Sequence, residues 1–164
     1  MPLEESQVGG GISRRQMLQR IGAGAAVAWT APVLMTVKSP AFAQSPSCHL
    51  VAKMDGLQET PPNNSPATGT ADFTRQSASE LAYTYTFQDL VGEGSAAHIH
   101  QAPPGSPGGI VVPLTSPSGH SGQVSDVATA DPALLDAICA SPGDYYINVH
   151  SSEFPGGEIR GQIR

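Results

Sequence analysis

The chain has 164 residues and is acidic, with 14 aspartates and glutamates against 8 lysines and arginines and a formal charge of −6. This balance excludes a basic footprint for nucleic acid and gives no cationic patch for an anionic membrane surface. Glycine and proline are abundant, at 18 and 15 residues. Short apolar runs separated by turn residues are typical of a small all-β domain.

The first 43 residues have the pattern of an export signal. Arg14 and Arg15 precede an apolar stretch at 21–37 that is rich in glycine and alanine, and this arrangement resembles the twin-arginine signal. The Ala-Phe-Ala sequence at 41–43 has the small residues that signal peptidase requires, which predicts cleavage of a signal helix after Ala43. An uncleaved anchor is disfavoured because the stretch is short and is interrupted by glycines and a proline.

Cleavage would leave a short linker at 44–47 and one domain at 48–164. The mature chain keeps four basic residues against twelve acidic ones, a formal charge of −8. No second apolar run has the length of a membrane span. We therefore expect a protein that is exported to the periplasm or the extracellular space and has no membrane segment after the signal is removed.

Cys48 and Cys139 are the only two cysteines, and both lie in the exported part. An oxidising compartment favours a disulfide between them, and closing so long a loop would stabilise the fold by about 4 kcal/mol. A metal site that uses Cys48 and the adjacent His49 is the alternative.

Period-two alternation predicts about eight short strands, most clearly at 81–87, where Leu, Tyr and Phe alternate with Ala and Thr. The other predicted strands are 49–57, 69–75, the strand of His98, 110–114, 123–127, 145–150 and 158–163. One helix is predicted at 131–138, with Asp131 as its N-cap and Pro132 in its first position. The predicted fold is an all-β Greek-key β-sandwich or flattened barrel of antiparallel strands with one short helix.

Three histidines stand on two of these predicted strands. His98 and His100 are two residues apart and would share one strand face, and His150 would reach them from a nearby strand. Three neutral imidazoles suit Cu(II) or Zn(II), and the usual order of affinities favours copper. The sequence predicts a metal centre of these three, with the loop residue His120 as a weaker fourth candidate. The alternative is structural, with the imidazoles hydrogen-bonded on a polar face.

Glu158 and Arg160 share one face of the last predicted strand, which indicates a structural polar pair, or a pair between Arg160 and a carboxylate of a neighbouring strand. The chain has no Gly-x-Ser-x-Gly elbow and no phosphate-binding loop. A hydrolase is therefore the least favoured class.

A set of motifs in a fixed order resembles the CHRD domain family over nearly the whole mature chain. The motifs are 57–62 (LQETPP), 67–71 (ATGTA), 81–85 (LAYTY), 97–100 (AHIH), 148–150 (NVH) and 155–162 (PGGEIRGQ). The resemblance implies a β-sandwich and implies little about activity. It favours a non-enzymatic binding module with an extracellular or envelope partner.

A looser resemblance is to copper–zinc superoxide dismutase, a Greek-key β-sandwich whose copper site uses a His-x-His pair on one strand. His98 and His100 would match that pair, and His150 would be a third ligand. The bridging histidine, the zinc cluster and the arginine over the metal have no clear counterparts here. A copper-dependent redox enzyme is therefore the less favoured alternative to a binding module.

Overall fold

The structure is a computed structural model that describes residues 48–164. The predicted signal, with Arg14, Arg15 and the cleavage after Ala43, lies outside the described residues, as does the linker. Eight strands are present: β1 His49–Asp55, β2 Thr68–Arg75, β3 Glu80–Gln88, β4 Gly94–Gln101, β5 Gly109–Leu114, β6 Gly122–Thr129, β7 Tyr145–Ser151 and β8 Ile159–Gln162. The helix α1 spans Pro132–Ala140, and 3-10 turns lie at Gly56–Gln58 and Pro142–Asp144. No helix within 48–164 has the length and apolar character needed to cross a membrane.

The eight strands form one continuous antiparallel sheet in the order β5-β4-β7-β8-β1-β2-β3-β6. Its two edge strands, β5 and β6, approach each other, so that the sheet curls into a nearly closed barrel. Because β5 lies near β6, strands β4, β5 and β6 follow one another around the barrel and β7 pairs with β4, which is a Greek-key arrangement. The all-β prediction is confirmed, and a flattened barrel describes its shape.

Alternate side chains on each strand point into the barrel and form its core. On β3 the side chains of Tyr83, Tyr85 and Phe87 are buried in the core. On β7, however, every position is buried, because Ile147 and Val149 fill the core while loops cover the opposite face. That covered outer face carries the histidines.

The helix begins as its sequence predicts. The Asp131 carboxylate accepts a hydrogen bond from the N–H of Ala133, and Pro132 occupies the first turn. Cys139, near the end of α1, is joined to Cys48 by a disulfide with the two Cα atoms 5.8 Å apart, within the normal range. The bond ties the start of the first strand to the helix and leaves neither cysteine free for the alternative metal site.

Candidate metal centre

The candidate site lies on the outer face of three neighbouring strands, β4, β7 and β8. Pairing in register forms rows across these strands, which are His98–Asn148–Arg160 and His100–Tyr146–Gln162, with His150 opposite Ala96. Because successive side chains on a strand alternate between faces, all these residues share the outer face. The strand pairing thus brings the three predicted histidines together.

The three imidazoles converge. The Nδ1 of His98 lies 3.2 Å from the Nε2 of His150. The ring centroid of His98 is 5.6 Å from that of His100 and 5.0 Å from that of His150, and the remaining separation is 6.2 Å. One nitrogen from each ring lies within 4.8 Å of the others. Nitrogens bound 2.0–2.1 Å from one ion are about 3.5 Å apart, so a small contraction would allow all three to share an ion.

Two backbone carbonyls orient the rings. The Nδ1 of His100 lies 3.0 Å from the Gly108 oxygen, and the Nδ1 of His150 lies 3.0 Å from the Pro155 oxygen. A carbonyl only accepts hydrogen bonds, so Nδ1 carries the proton in both rings and Nε2 keeps its lone pair. The Nε2 of His100 is buried without a partner. Histidines that bind metals usually donate their other ring N–H to a carbonyl or carboxylate in the same way, which fixes the tautomer.

The surroundings keep these histidines neutral. Burial is the main cause that lowers the pKa of His98, His100 and His150 below 6.5. The neighbouring imidazoles lower the pKa of His98 further, and the charge of Arg160 contributes at His100. The carbonyls of Gly108 and Pro155 oppose these shifts in part. The neutral imidazole is the form that binds metal ions.

Tyr146, which the sequence reasoning missed, holds His100 in place. The two rings stack with centroids 4.8 Å apart and planes 9° from parallel. The Cζ of Arg160 lies 3.5 Å from the centroid of the Tyr146 ring. The Tyr146 hydroxyl accepts a hydrogen bond from the N–H of Gly108 at 3.1 Å, and a Cβ at Gly108 would collide with the backbone oxygen of Gln101. The position of Tyr146, two residues before Asn148 on the same strand face, was the available signal.

Glu158 and Arg160 are both buried, but neither an ion pair nor a hydrogen bond joins them, so the predicted polar pair is not formed. Glu158 accepts hydrogen bonds from the backbone N–H of Val91 and the hydroxyls of Ser65 and Ser151. Arg160 donates to the Thr60 hydroxyl, the side-chain oxygen of Gln162 and the carbonyls of Pro103 and Ser106. Loops and the ends of β7 and β8 thus supply each charged group with its own neutral partners, and each has a structural role.

Glu59 is a second residue that the sequence reasoning missed. It follows the first 3-10 turn and is only 7% exposed. Its Oε2 accepts a hydrogen bond from the Asn148 amide at 3.2 Å, while its Oε1 and the Asn148 Oδ1 are buried without partners. Burial raises the pKa of Glu59 to about 7, against the opposing effects of Asn148 and the Arg160 charge. The motif at 57–62 contains Glu59 but does not indicate that the loop folds over β7.

The other histidines lie elsewhere. The Nδ1 of His120 is 2.7 Å from the Leu90 carbonyl oxygen, which gives His120 a structural contact outside the cluster. His49 contacts the Asp72 carboxylate on the exposed surface. Across the part of the chain that the structure describes, no carboxylate or thiol joins the three imidazoles of the cluster.

Comparisons with known proteins identify the family. The sequence model of the CHRD domain matches residues 50–163, which include the three histidines and the side chains that surround them. Comparison with curated proteins gave no match, and comparison with solved structures also gave none. The matched segment spans well over half of the sequence, so the chain belongs to the CHRD domain family.

Proposed function

We propose that the mature protein is an exported, non-enzymatic binding module that carries a copper or zinc ion on His98, His100 and His150. The observation that carries the metal assignment is the convergence of three imidazoles, two of which, His100 and His150, keep an unprotonated Nε2. Membership of the CHRD family supports a binding module.

A metal ion accounts for a feature that a purely structural role does not. The Nε2 of His100 is buried and has no hydrogen-bond partner. An unsatisfied buried polar atom costs about 1–3 kcal/mol. An ion bound there, and shared with the facing nitrogens of His98 and His150, would remove that cost. A structural cluster would instead direct each ring nitrogen to a protein donor or acceptor.

Metal titration of the mature protein tests this assignment. Cu(II) and Zn(II) are titrated against a competing chelator, and native mass spectrometry counts the bound ions. We expect one ion per chain and at least a 100-fold loss of affinity in each of His98→Ala, His100→Ala and His150→Ala. The matched control is His120→Ala, which should bind as the wild type does. If all four variants bound metal as tightly as the wild type, the three histidines would have a structural role only.

The enzymatic alternative has its own test. Superoxide turnover by the copper-loaded protein is compared with turnover by free copper and by His98→Ala. The module proposal predicts no turnover above that of free copper. Turnover well above that level, lost in the variant, would replace it with a copper-dependent redox enzyme.

Export by the twin-arginine route, to the periplasm or the extracellular space, is the second part of the proposal. The run containing Arg14 and Arg15 supports it, as does a disulfide of the kind that persists in oxidising compartments. Replacing both arginines by lysine should leave the precursor in the cytoplasm. Mature protein appearing outside at the normal rate in that variant would contradict the route.

A further inference from the structure

The ligand set of the histidine cluster carries no negative charge. It consists of three imidazoles, and no aspartate, glutamate or cysteine within 48–164 joins them. His100 and His150 are only 8% and 9% exposed and His98 is half-buried, so an ion held by their nitrogens would lose much of its contact with water. Its whole charge would therefore stay uncompensated by its ligands.

A buried positive charge acts on the cluster, because the charge of Arg160 is felt at His100, whereas the buried carboxylate of Glu158 is held by donors from Ser65, Val91 and Ser151. Arg160 is 2% exposed, and its guanidinium lies on the face of Tyr146, which stacks on His100. None of the ion pairs formed by the described residues includes Arg160, and its hydrogen bonds go to neutral acceptors. Glu59 interacts electrostatically with Arg160, but burial raises the pKa of Glu59 to about 7, so it offsets that charge only in part at neutral pH.

These surroundings discriminate between ions by charge. The free energy of moving an ion from water into a low-dielectric site grows with the square of its charge, so a dication loses about four times as much hydration energy as a monocation. Repulsion by a nearby cation is twice as large for the dication. The number of ligands does not separate the ions, because zinc also binds three histidines with water as a fourth ligand, so the discrimination depends on charge.

We propose that the histidine cluster binds copper as Cu(I), more tightly than it binds Zn(II) or Cu(II). This inference rests on the proposed metal-binding function and specifies the ion that the site selects. Imidazole suits copper, and three neutral nitrogens leave a monovalent ion with a single positive charge in the site.

The test measures three affinities and changes the local charge. Under anaerobic conditions, Cu(I) is competed against bathocuproine disulfonate; Zn(II) and Cu(II) are competed against chromophoric chelators of known affinity. Ala96 is half-buried on the histidine face, opposite His150 in the β4–β7 pairing. Ala96→Asp therefore places a carboxylate beside the cluster, and Ala96→Asn is its neutral control of equal size.

We expect the wild type to bind Cu(I) at least 100-fold more tightly than Zn(II), and more tightly than Cu(II). Ala96→Asp should lower the ratio of Cu(I) affinity to Zn(II) affinity at least tenfold, while Ala96→Asn should change that ratio less than threefold. Wild-type protein that binds Zn(II) as tightly as Cu(I) would overturn this inference and leave the metal-binding function intact. Protein that binds none of the three ions would overturn both. Circular dichroism verifies that both variants fold, and the wild-type ratio decides the question if either does not.

Discussion

His100 and Tyr146 stack face to face, with ring centroids 4.8 Å apart and planes within 9° of parallel. The Gly108 backbone joins the same pair twice, since its carbonyl faces the His100 Nδ1 and its N–H donates to the Tyr146 hydroxyl. The ring of His100 therefore has one orientation before any ion arrives. A preoriented ligand loses less side-chain entropy on binding, which favours tight binding.

Replacing Tyr146 separates the effect of the stack from that of the hydroxyl. Tyr146→Leu removes the aromatic face and should weaken metal binding about 10- to 100-fold, the usual cost of losing second-shell support. Tyr146→Phe keeps the face and loses only the hydrogen bond to Gly108, so it should bind within about fivefold of the wild type. Competition titration of both variants decides the matter, and equal losses in the two would refute the role of the stack.

Metal binding should depend on pH in a window below the usual one for histidine. Burial lowers the pKa of His98, His100 and His150, so these rings stay neutral to a lower pH than an ordinary histidine does. Protons compete with the ion only when the pH falls through those lowered values. Affinity measured at steps from pH 8 to pH 4.5 should begin to fall at a lower pH than the affinity of a reference peptide with exposed histidines. A fall that begins at the same pH as in the reference peptide, or at a higher pH, would show that the pKa values are not lowered.

Glu59 should make the stability of the apoprotein fall as the pH rises. Its pKa is about 7 in the folded chain against an ordinary value of 4.5, so between these values the folded state holds a proton that the unfolded state releases. This contribution to stability is fully present below about pH 4.5 and is lost as the pH rises through 7. Glu59→Gln cannot titrate and retains an acceptor for the Asn148 amide.

Glu59→Gln should therefore raise the free energy of unfolding, relative to the wild type, more at pH 8 than at pH 5. The difference between the two pH values should be on the order of 2 kcal/mol. Urea unfolding of the wild type and the variant at both pH values measures it. The lowered pKa values of the histidines act in the opposite direction, because they make stability rise with pH, but they are present in both proteins and cancel in the comparison. A gain that is the same at both pH values would mean that Glu59 stays ionised in the folded chain.

The disulfide should be a large single contribution to stability. Cys48 and Cys139 are 91 residues apart in sequence, and closing a loop of that size stabilises a fold by about 4 kcal/mol in the chain-entropy model. Replacing both cysteines by serine should lower the free energy of unfolding by about that amount. Denaturant unfolding with and without reductant provides the control, since reduced wild type should match the variant. A difference below about 1 kcal/mol would contradict the prediction.

Local periodicity was enough to predict the strands and the shared face of His98 and His100, because alternation is a property of each strand by itself. The position of His150 depends on the pairing of β4 with β7, which are separated by two strands and a helix in sequence, so it could be proposed but not placed. The contacts of Tyr146 and Gly108 with His100 could not be predicted, because they depend on how the loop before β5 folds back onto β7.

The partners of the buried charged residues were harder to predict from the sequence. Glu158 and Arg160 are two residues apart, and that spacing suggested a pair, but the loops at 57–66 and 102–108 and the segment around Ser151 provide neutral partners instead. Such partners come from distant parts of the chain and follow no local period. For the same reason, the burial of Glu59 beneath its loop has no signature in the composition of that loop.

The near-closure of the sheet limits how other molecules can approach it. β5 and β6 would each expose a row of backbone donors and acceptors in an open sheet, but here they approach each other, and β5 contains Pro113, which has no N–H to donate. An incoming strand therefore finds little free backbone to extend. Recognition by an envelope partner would have to use side chains and loops, and edge-to-edge aggregation in a crowded compartment is disfavoured by the same geometry.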